Sequence, residues 1–293
     1  MSDTASVVFL AFTIVESLII VFANIFTIYV FWKHRTRLRR NSFLLKNLAI
    51  ADLLVGMIEA IALGTSDIPN NVGKDSPIKD TPFETILRLS RLSYFCASIA
   101  FLVMISLERA YALIYPLRHQ VLSSKWYHWS AFVVWIAVII IVVTWCLLSE
   151  YDLLKNSNWT SFYASFTLLS FAVICASCYV IRRGLSRRFP VLNTVHDIKN
   201  GTEQNSKLSK TLYIVIAASL VCWFPSVVTY SIRFQCGRSC LPNTLFFFSS
   251  CFRLANSWIN PVIYCLKFTM FKRALTNMNP CKQSQRCPNL LYR

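Results

Sequence analysis

The chain has 293 residues, of which 55% are hydrophobic and 15% charged, and its formal net charge is +17. Soluble domains usually carry about 25% charged residues, so this composition favours a membrane protein, in which lipid solvates the apolar faces. Nucleic-acid binding, the common explanation for a basic chain, is disfavoured because the basic residues stand in short blocks between apolar runs.

Seven apolar runs follow one another along the chain, and each has the roughly 20 residues that a membrane-spanning helix needs. The third and seventh runs contain charged residues, which indicates positions inside a bundle and away from lipid. The start, MSDTASVVFLAF, has no basic residue, so we expect no cleaved signal peptide. The seven runs cover about residues 7–32, 43–64, 83–113, 129–149, 161–181, 209–233 and 243–266.

The basic residues also predict an orientation in the membrane. The segments on one side (33–40, 114–128, 182–208 and the tail from residue 267) are rich in Lys and Arg, and those on the other side (65–82, 150–160 and 234–242) are poor in them. The positive-inside rule then places the amino terminus outside and the carboxyl terminus in the cytoplasm. Asn158, in the sequon NWT, is expected to be glycosylated outside, whereas Asn200 in NGT lies inside and stays bare.

The sequence therefore predicts an all-α fold, a seven-transmembrane helix bundle that forms one domain over residues 1–293. A short amphipathic segment, KFTMFKRAL, follows the seventh run, with Phe268, Phe271 and Leu275 at helical spacing. We expect an eighth helix at about 267–276 along the inner membrane surface, followed by a cytoplasmic tail at 277–293.

Short motifs occur in successive runs, and their order is informative. NLAIADLL fills the second run, LERAY with YPL closes the third, CWFP lies in the sixth and NPVIY in the seventh, with Asn24 in the first and Trp135 in the fourth. Together they resemble the signature positions of rhodopsin-like (class A) G-protein-coupled receptors over nearly the whole chain. The resemblance implies a plasma-membrane receptor, not an enzyme, that binds an extracellular ligand and activates heterotrimeric G proteins, with arrestin as a further candidate partner.

The resemblance also assigns an activation switch. Glu108 holds Arg109 while the receptor rests, and on activation Arg109 swings free to meet the G protein. Two departures from the family pattern stand out: Ala110 replaces the usual aromatic, and the sixth helix offers only Asn205 near its inner end. We therefore expect a second restraint on Arg109 to be missing and basal activity to be noticeable. The other switch residues that the resemblance implies are Tyr179, Trp223, Pro225, Asn260, Pro261 and Tyr264.

Asp52 is a lone carboxylate near the middle of the second run. The resemblance implies a sodium-type pocket, completed by Ser98, Asn256, Ser257 and Asn260, whose oxygens suit a hard cation. The alternative is an uncharged, hydrogen-bonded acid. No cofactor is implied beyond this allosteric sodium ion.

The cysteines depart from the family at the outer face. The usual disulfide between the third helix and the second outer loop is missing, because Glu84 stands at the helix position and EYDLLKNSNW has no Cys. Cys236 and Cys240, in CGRSC, are expected to form a loop-closing bridge outside the cell. These features hint at melanocortin, adenosine, cannabinoid or lysophospholipid-type receptors. After the eighth helix, Cys281 and Cys287 are candidate palmitoylation sites, with plain cytosolic thiols as the alternative.

Charged residues in the outer half of the bundle suggest the ligand. Arg91 shares a helix face with Ser98 and Arg109, so it points into the bundle if Arg109 does. Inward arginines favour an anionic small molecule or lipid. Ion pairing of Glu59 or Glu84 with Arg88 or Arg91 is the alternative. The candidate pocket residues are Glu59, Glu84, Arg88, Arg91, Trp223, Arg233 and Arg253.

Three other functions stay open at this point. Glu59 and Glu84 could bind a basic peptide, as a melanocortin-like receptor does, or the protein could signal constitutively without a ligand. A transporter or channel would require repeated halves or broken helices at matched positions, which are not evident in the sequence. A biogenic amine is disfavoured because Arg91 stands where amine receptors carry an acid, and retinal is excluded because Leu254 replaces the required lysine.

Overall fold

The computed structural model describes residues 3–34, 41–66, 82–150, 156–192, 199–236 and 241–278, which are almost entirely α-helical. The predicted all-α fold is confirmed. The helices are α1 (Asp3–Lys33), α2 (Asn41–Ser66), α3 (Pro82–Ile114), α4 (Pro116–Val121), α5 (Ser124–Glu150), α6 (Asn156–Leu192), α7 (Lys199–Cys236), α8 (Asn243–Lys267) and α9 (Thr269–Met278).

The seven long helices follow the order of the seven apolar runs. Within the described residues, five segments are long and apolar enough to cross a membrane: Val7–Lys33, Leu89–Ile114, Ser124–Ile141, Ser165–Gly184 and Lys210–Thr229. The other two long helices, α2 and α8, carry buried polar residues, among them Asp52 and Asn256. Such residues belong inside a bundle, where they find partners away from lipid.

The short helix α4 was not predicted. It begins at Pro116, a residue suited to the first helical turn because its missing N–H has no partner there. Tyr115, just before it, leaves the helical conformation with φ −122° and ψ 67°, as residues that precede proline tend to do. The chain therefore turns after α3, and α4 packs back against the carboxyl-terminal part of that helix.

The centre of the bundle is α3, which packs against α2, α5, α6 and α7. Phe101 and Leu102 of α3 are completely buried, together with Ile181 of α6 and Ile216 of α7. Side-chain hydrogen bonds connect further helices: Asn24 Nδ2 of α1 donates to the Ser257 carbonyl of α8 over 3.0 Å. Trp135 Nε1 of α5 donates to Asn47 Oδ1 of α2 over 2.9 Å.

A glycine allows α1 and α2 to pack closely. A Cβ atom at Gly56 would lie 2.7 Å from Ile20 Cγ2 and 3.2 Å from the Ser17 carbonyl oxygen. Small residues permit this kind of close backbone approach between membrane helices.

The amphipathic segment after α8 forms α9. Its helix begins at Thr269 because Phe268 is extended, with φ −92° and ψ 124°. Phe271 is fully buried and packs edge-on against Phe31, with the ring centroids 5.2 Å apart, whereas Leu275 is exposed. The apolar side of α9 thus contacts the bundle at α1 and α8.

Candidate functional site

The carboxyl-terminal end of α3 carries a buried ion pair. Arg109 donates from Nε and Nη2 to the two carboxylate oxygens of Glu108. Arg109 is 4% exposed, and the Glu108 side chain is 11% exposed. A forked guanidinium–carboxylate pair fixes both side chains, and separating a desolvated pair requires a replacement partner for each charge. The structure thus joins the two residues that the resemblance assigns to the switch.

Two residues that the sequence did not single out also contact Glu108. His119 Nε2, in α4, lies 2.7 Å from Glu108 Oε1, and the Tyr127 hydroxyl, in α5, donates to the same oxygen over 3.1 Å. The Tyr127 oxygen and His119 Nε2 are 3.2 Å apart. The available clue was Pro116, which indicates that the chain turns after α3 but does not say which residue returns to Glu108.

The switch tyrosines are in different surroundings. Tyr264 is 1% exposed and stacks on Phe268, with ring centroids 5.7 Å apart. Tyr179 is exposed, and its hydroxyl accepts a hydrogen bond from Arg183 over 3.2 Å. No hydrogen bond joins Tyr179 to Tyr264 among the described residues.

The buried carboxylate of Asp52 gathers hydroxyl and amide donors from α3 and α8. Its Oδ1 accepts hydrogen bonds from Ser98 Oγ at 2.7 Å and Ser257 Oγ at 2.8 Å, and its Oδ2 accepts one from Asn260 Nδ2 at 3.1 Å. Asp52 is completely buried. The structure thus brings together four of the five residues implied for the sodium-type pocket.

Asn256 is the fifth residue of that set. It is 1% exposed, and its side-chain oxygen has no hydrogen-bond partner among the described residues, like Oδ1 of Asn24 and Oδ1 of Asn260. Of these three residues, Asn260 is held beside the carboxylate by its hydrogen bond to Asp52 Oδ2, and an unpartnered carboxamide oxygen there is a ligand that a hard cation prefers. The residues present therefore fit a sodium ion.

A second ion pair joins the amino-terminal half of α3 to α2. Arg91 Nε donates to Glu59 Oε2 over 2.8 Å, and Nη2 donates to Oε1 over 2.5 Å. The Glu59 side chain is 5% exposed, whereas that of Arg91 is 35% exposed. Internal pairing, the alternative to an anion site, is therefore what the structure shows for these two residues.

A column of contacting side chains connects Arg253 of α8 to Trp223 of α7. The Arg253 guanidinium lies 4.5 Å from the ring centroid of Phe95, a cation–π contact. The Phe95 ring meets Trp223 edge-on at 6.1 Å. Because all three side chains are buried, a displacement of Arg253 would be passed to Trp223 through direct contact.

Glu16 of α1 is an acidic residue that the sequence reasoning missed. It is 5% exposed, and its Oε1 accepts a hydrogen bond from Trp258 Nε1 of α8 over 3.1 Å. The clue was that a lone acid inside an apolar run is costly and marks a polar contact or a functional group.

Several predicted residues lie outside the part of the chain whose side chains the structure describes. The predicted bridge and lipidation sites therefore stay predictions, as does the outer charge cluster beyond Glu59, Arg91 and Arg253. These residues are Glu84, Arg88, Asn158, Asn205, Arg233, Cys236, Cys240, Cys281 and Cys287.

Comparison with known proteins identifies a family and several similar receptors. Residues 23–264 match the family of 7 transmembrane receptors (rhodopsin family). The chain is similar to cannabinoid receptor 1 of Xenopus laevis, with 22% identity over 314 residues that cover 97% of this chain and 64% of that receptor. Cannabinoid receptor type 1B of Takifugu rubripes is 23% identical over 308 residues, which cover 91% of this chain and 60% of that receptor.

A third relative matches over a shorter stretch. The alpha-2A adrenergic receptor of Danio rerio is 32% identical over 88 residues, which cover 30% of this chain and 22% of that receptor. The chain spans less than two thirds of the length of the cannabinoid receptors that it matches.

Proposed function

We propose that this chain, which belongs to the rhodopsin family of seven-transmembrane receptors, binds an extracellular ligand and activates heterotrimeric G proteins. The family is one of multi-pass membrane receptors and not of enzymes. The observation that carries the proposal is the buried pair of Glu108 and Arg109 at the inner end of α3. A desolvated ion pair that must change partners is suited to a two-state switch.

The proposed mechanism starts at the outer half of the bundle. A ligand moves Arg253 or Arg91, and the column through Phe95 passes the movement to Trp223. Pro225, inside α7, interrupts the helix hydrogen bonding and makes a bend at which the inner end of α7 swings outward.

At the inner end, the swing of α7 opens space beside α3. Arg109 then leaves Glu108 and contacts the G protein. Tyr264 and Tyr179 approach each other and stabilise the open state. In this structure the two tyrosines have separate partners, which is consistent with a resting arrangement.

We assign the receptor to the plasma membrane, with the amino terminus outside and the carboxyl terminus in the cytoplasm. The excess of Lys and Arg in the segments 33–40, 114–128 and 182–208 supports this orientation. It places Glu108 and Arg109 on the side where G proteins are found.

The ligand class that we favour is an anionic small molecule or lipid. A third of the Arg91 side chain is exposed, so an acidic group could reach it and replace the Glu59 carboxylate. The similarity to cannabinoid receptors supports a lipid. A basic peptide is less well supported, because both oxygens of Glu59 already accept hydrogen bonds from Arg91.

We also assign the cluster around Asp52 to an allosteric sodium ion. Its residues lie between the outer column and the inner switch, since Ser98 is in the middle of α3. A cation held there by Asp52, Ser98 and Ser257 would keep α2, α3 and α8 together and so favour the resting state.

The test is a measurement of cyclic AMP and calcium in cells that express the wild type, Arg91→Ala or the charge-matched control Lys33→Ala. Acidic lipids, organic acids, nucleotides and basic peptides are applied, with surface expression confirmed. We expect a response to an acidic ligand that is lost in Arg91→Ala and kept in Lys33→Ala. A response only to basic peptides, unaffected by Arg91→Ala, would contradict the ligand class. A ligand response that persists unchanged in Arg109→Ala would contradict the switch.

A further inference from the structure

Glu108 has more partners than the switch requires. Besides both donors of Arg109, its Oε1 atom has His119 Nε2 at 2.7 Å and the Tyr127 hydroxyl at 3.1 Å. The family resemblance gives roles to Glu108 and Arg109 and none to His119 or Tyr127. Three elements, α3, α4 and α5, thus meet at one carboxylate.

Among the described residues, few charged and titratable groups surround His119. From α3 it meets Glu108, whose Oε1 also accepts a hydrogen bond from Arg109 Nη2, and Tyr111, whose ring centroid lies 6.4 Å away. From α5 it meets Tyr127. Its neighbours Arg118 and Lys125 are exposed, and the Arg118 guanidinium lies over the Tyr115 ring. Among the described residues, Glu108 is therefore the carboxylate that pairs with His119.

Histidine is the side chain that most readily changes charge near cytosolic pH. The His119 side chain is 18% exposed, so it exchanges protons with the cytoplasm, whereas Glu108 is more deeply buried. A protonated imidazole at 2.7 Å would supply Glu108 with a second cation in addition to Arg109.

We propose that Glu108, His119 and Tyr127 form a cytoplasmic proton-binding site, in which His119 takes over the Glu108 carboxylate when Arg109 leaves it. The inference rests on the proposed function, since it requires Arg109 to leave during activation. A desolvated carboxylate without a cation is strongly disfavoured. A protonated His119, already in contact, removes that obstacle, and Tyr127 holds the shared oxygen in place.

The direction of the pH effect follows from linkage. In the resting state Arg109 already neutralises Glu108, so a proton on His119 adds little. In the active state His119 is the remaining cation beside Glu108 within the described part of the chain, so it binds a proton more tightly. Protons therefore favour the active state, and acidification of the cytosol raises receptor activity.

The first experiment measures proton binding without a ligand or a G protein. Receptor with ¹³C-labelled histidine is titrated by NMR as the wild type and as Arg109→Ala, with Arg109→Gln as a second variant in case the first does not fold. The signal of His119 is assigned by its loss in His119→Gln. We expect the midpoint of the His119 titration to lie about one pH unit higher in the Arg109 variants than in the wild type, which is a tenfold gain in proton affinity. The exposed His128 of α5 serves as the internal reference. A His119 midpoint that is unchanged or lower overturns the proposal.

The second experiment measures nucleotide exchange on a G protein by purified receptor in lipid nanodiscs at pH 6.5 and 7.5. The ratio of the two rates is compared among the wild type, His119→Gln and the matched control His128→Gln. We expect a ratio of about three to ten in favour of pH 6.5 for the wild type and His128→Gln, and a ratio near one for His119→Gln.

The outcomes separate the two proposals. A pH dependence that is the same in His119→Gln as in the wild type overturns the proton site. An NMR shift as expected, without exchange by any variant at either pH, supports the proton site and counts against the proposed function.

Discussion

Arg91 and Glu59 form a two-hydrogen-bond ion pair between α3 and α2, with Nε–Oε2 and Nη2–Oε1 distances of 2.8 and 2.5 Å. The two partners differ in exposure, at 35% for the Arg91 side chain and 5% for that of Glu59. The loss of Arg91 and the loss of Glu59 should therefore destabilise the receptor to different extents. The glutamate depends on the arginine for its only described counter-charge, whereas the arginine can also reach outward.

We expect Arg91→Gln to destabilise the receptor more than Glu59→Gln does. The first variant leaves a buried carboxylate unpaired, at a cost of about 3 kcal/mol, whereas the second leaves an arginine that can turn towards its exposed side, at about 1 kcal/mol. Thermal unfolding of purified receptor measures the difference. The double variant Glu59→Gln with Arg91→Gln should recover much of the loss. Equal destabilisation by both single variants would contradict this account.

Asp52→Asn should remove the effect of sodium on stability. The unfolding temperature of the wild type should be higher in sodium chloride than in choline chloride, because an ion bound only to the folded state stabilises it. Asp52→Asn, which keeps hydrogen-bonding capacity but loses the charge, should show equal temperatures in both salts. Glu59→Gln, an acid removed elsewhere on α2, is the control and should keep the difference. A salt effect that survives Asp52→Asn would exclude this pocket.

Tyr127→Phe should lower basal activity. The change deletes one hydrogen bond to Glu108 Oε1 without a change in ring size, and a hydrogen bond to a charged group contributes about 1.5 kcal/mol or more. That hydrogen bond matters most when Arg109 has left Glu108 and the carboxylate has fewer partners. Its loss therefore disfavours the active state, and basal nucleotide exchange should fall by up to roughly tenfold, the ratio that corresponds to about 1.4 kcal/mol. Tyr29→Phe, on an exposed face of α1, should leave the exchange rate unchanged. A basal rate in Tyr127→Phe above the wild-type rate would contradict the prediction.

Trp258→Phe should lower stability by about 1–3 kcal/mol, because Glu16 would lose its described hydrogen bond while remaining buried. Trp129→Phe is the matched control, since Trp129 is exposed on α5 and should cost little. Thermal unfolding compares the two variants. The combination of Trp258→Phe with Glu16→Leu should be more stable than Trp258→Phe alone, and failure of this rescue would show that the indole matters only for packing.

Gly56→Ala should destabilise the contact between α1 and α2 by about 1–3 kcal/mol, because the new Cβ atom would lie 2.7 Å from Ile20 Cγ2. Gly184→Ala is the control, since its Cβ atom would meet Leu113 Cβ at an ordinary 3.5 Å. Ile20→Ala added to Gly56→Ala should relieve part of the overlap. If both glycine variants unfold at the wild-type temperature, the helices can separate without cost.

The order of the helices and much of the Asp52 cluster could be predicted from the sequence. Long apolar runs are a strong local signal, and the motifs around Asp52, Ser98 and Asn260 fix the faces that meet inside the bundle. These predictions depend only on helix periodicity within each run and on a resemblance that spans the chain.

The contacts of His119, Tyr127 and Glu16 could not be predicted in the same way. His119 reaches Glu108 only because the chain turns at Tyr115, and Tyr127 reaches it only through the packing of α5 on α3. Neither contact can be recognised from a local pattern in the sequence. The pairing of Arg91 with Glu59 likewise depends on the relative rotation of α2 and α3, which spacing alone leaves open.

The polar links between helices have a mechanical consequence. Arg91–Glu59, Ser98–Asp52, Asn24–Ser257, Trp258–Glu16 and Trp135–Asn47 join α1, α2, α3, α5 and α8. These five helices therefore form one group held together by side-chain hydrogen bonds, and α7 is joined to it through Ser226 Oγ, which donates to the Ser249 carbonyl of α8 over 2.9 Å. Substitutions that strengthen the links away from Arg91 and Asp52 should make the receptor more resistant to heat and detergent.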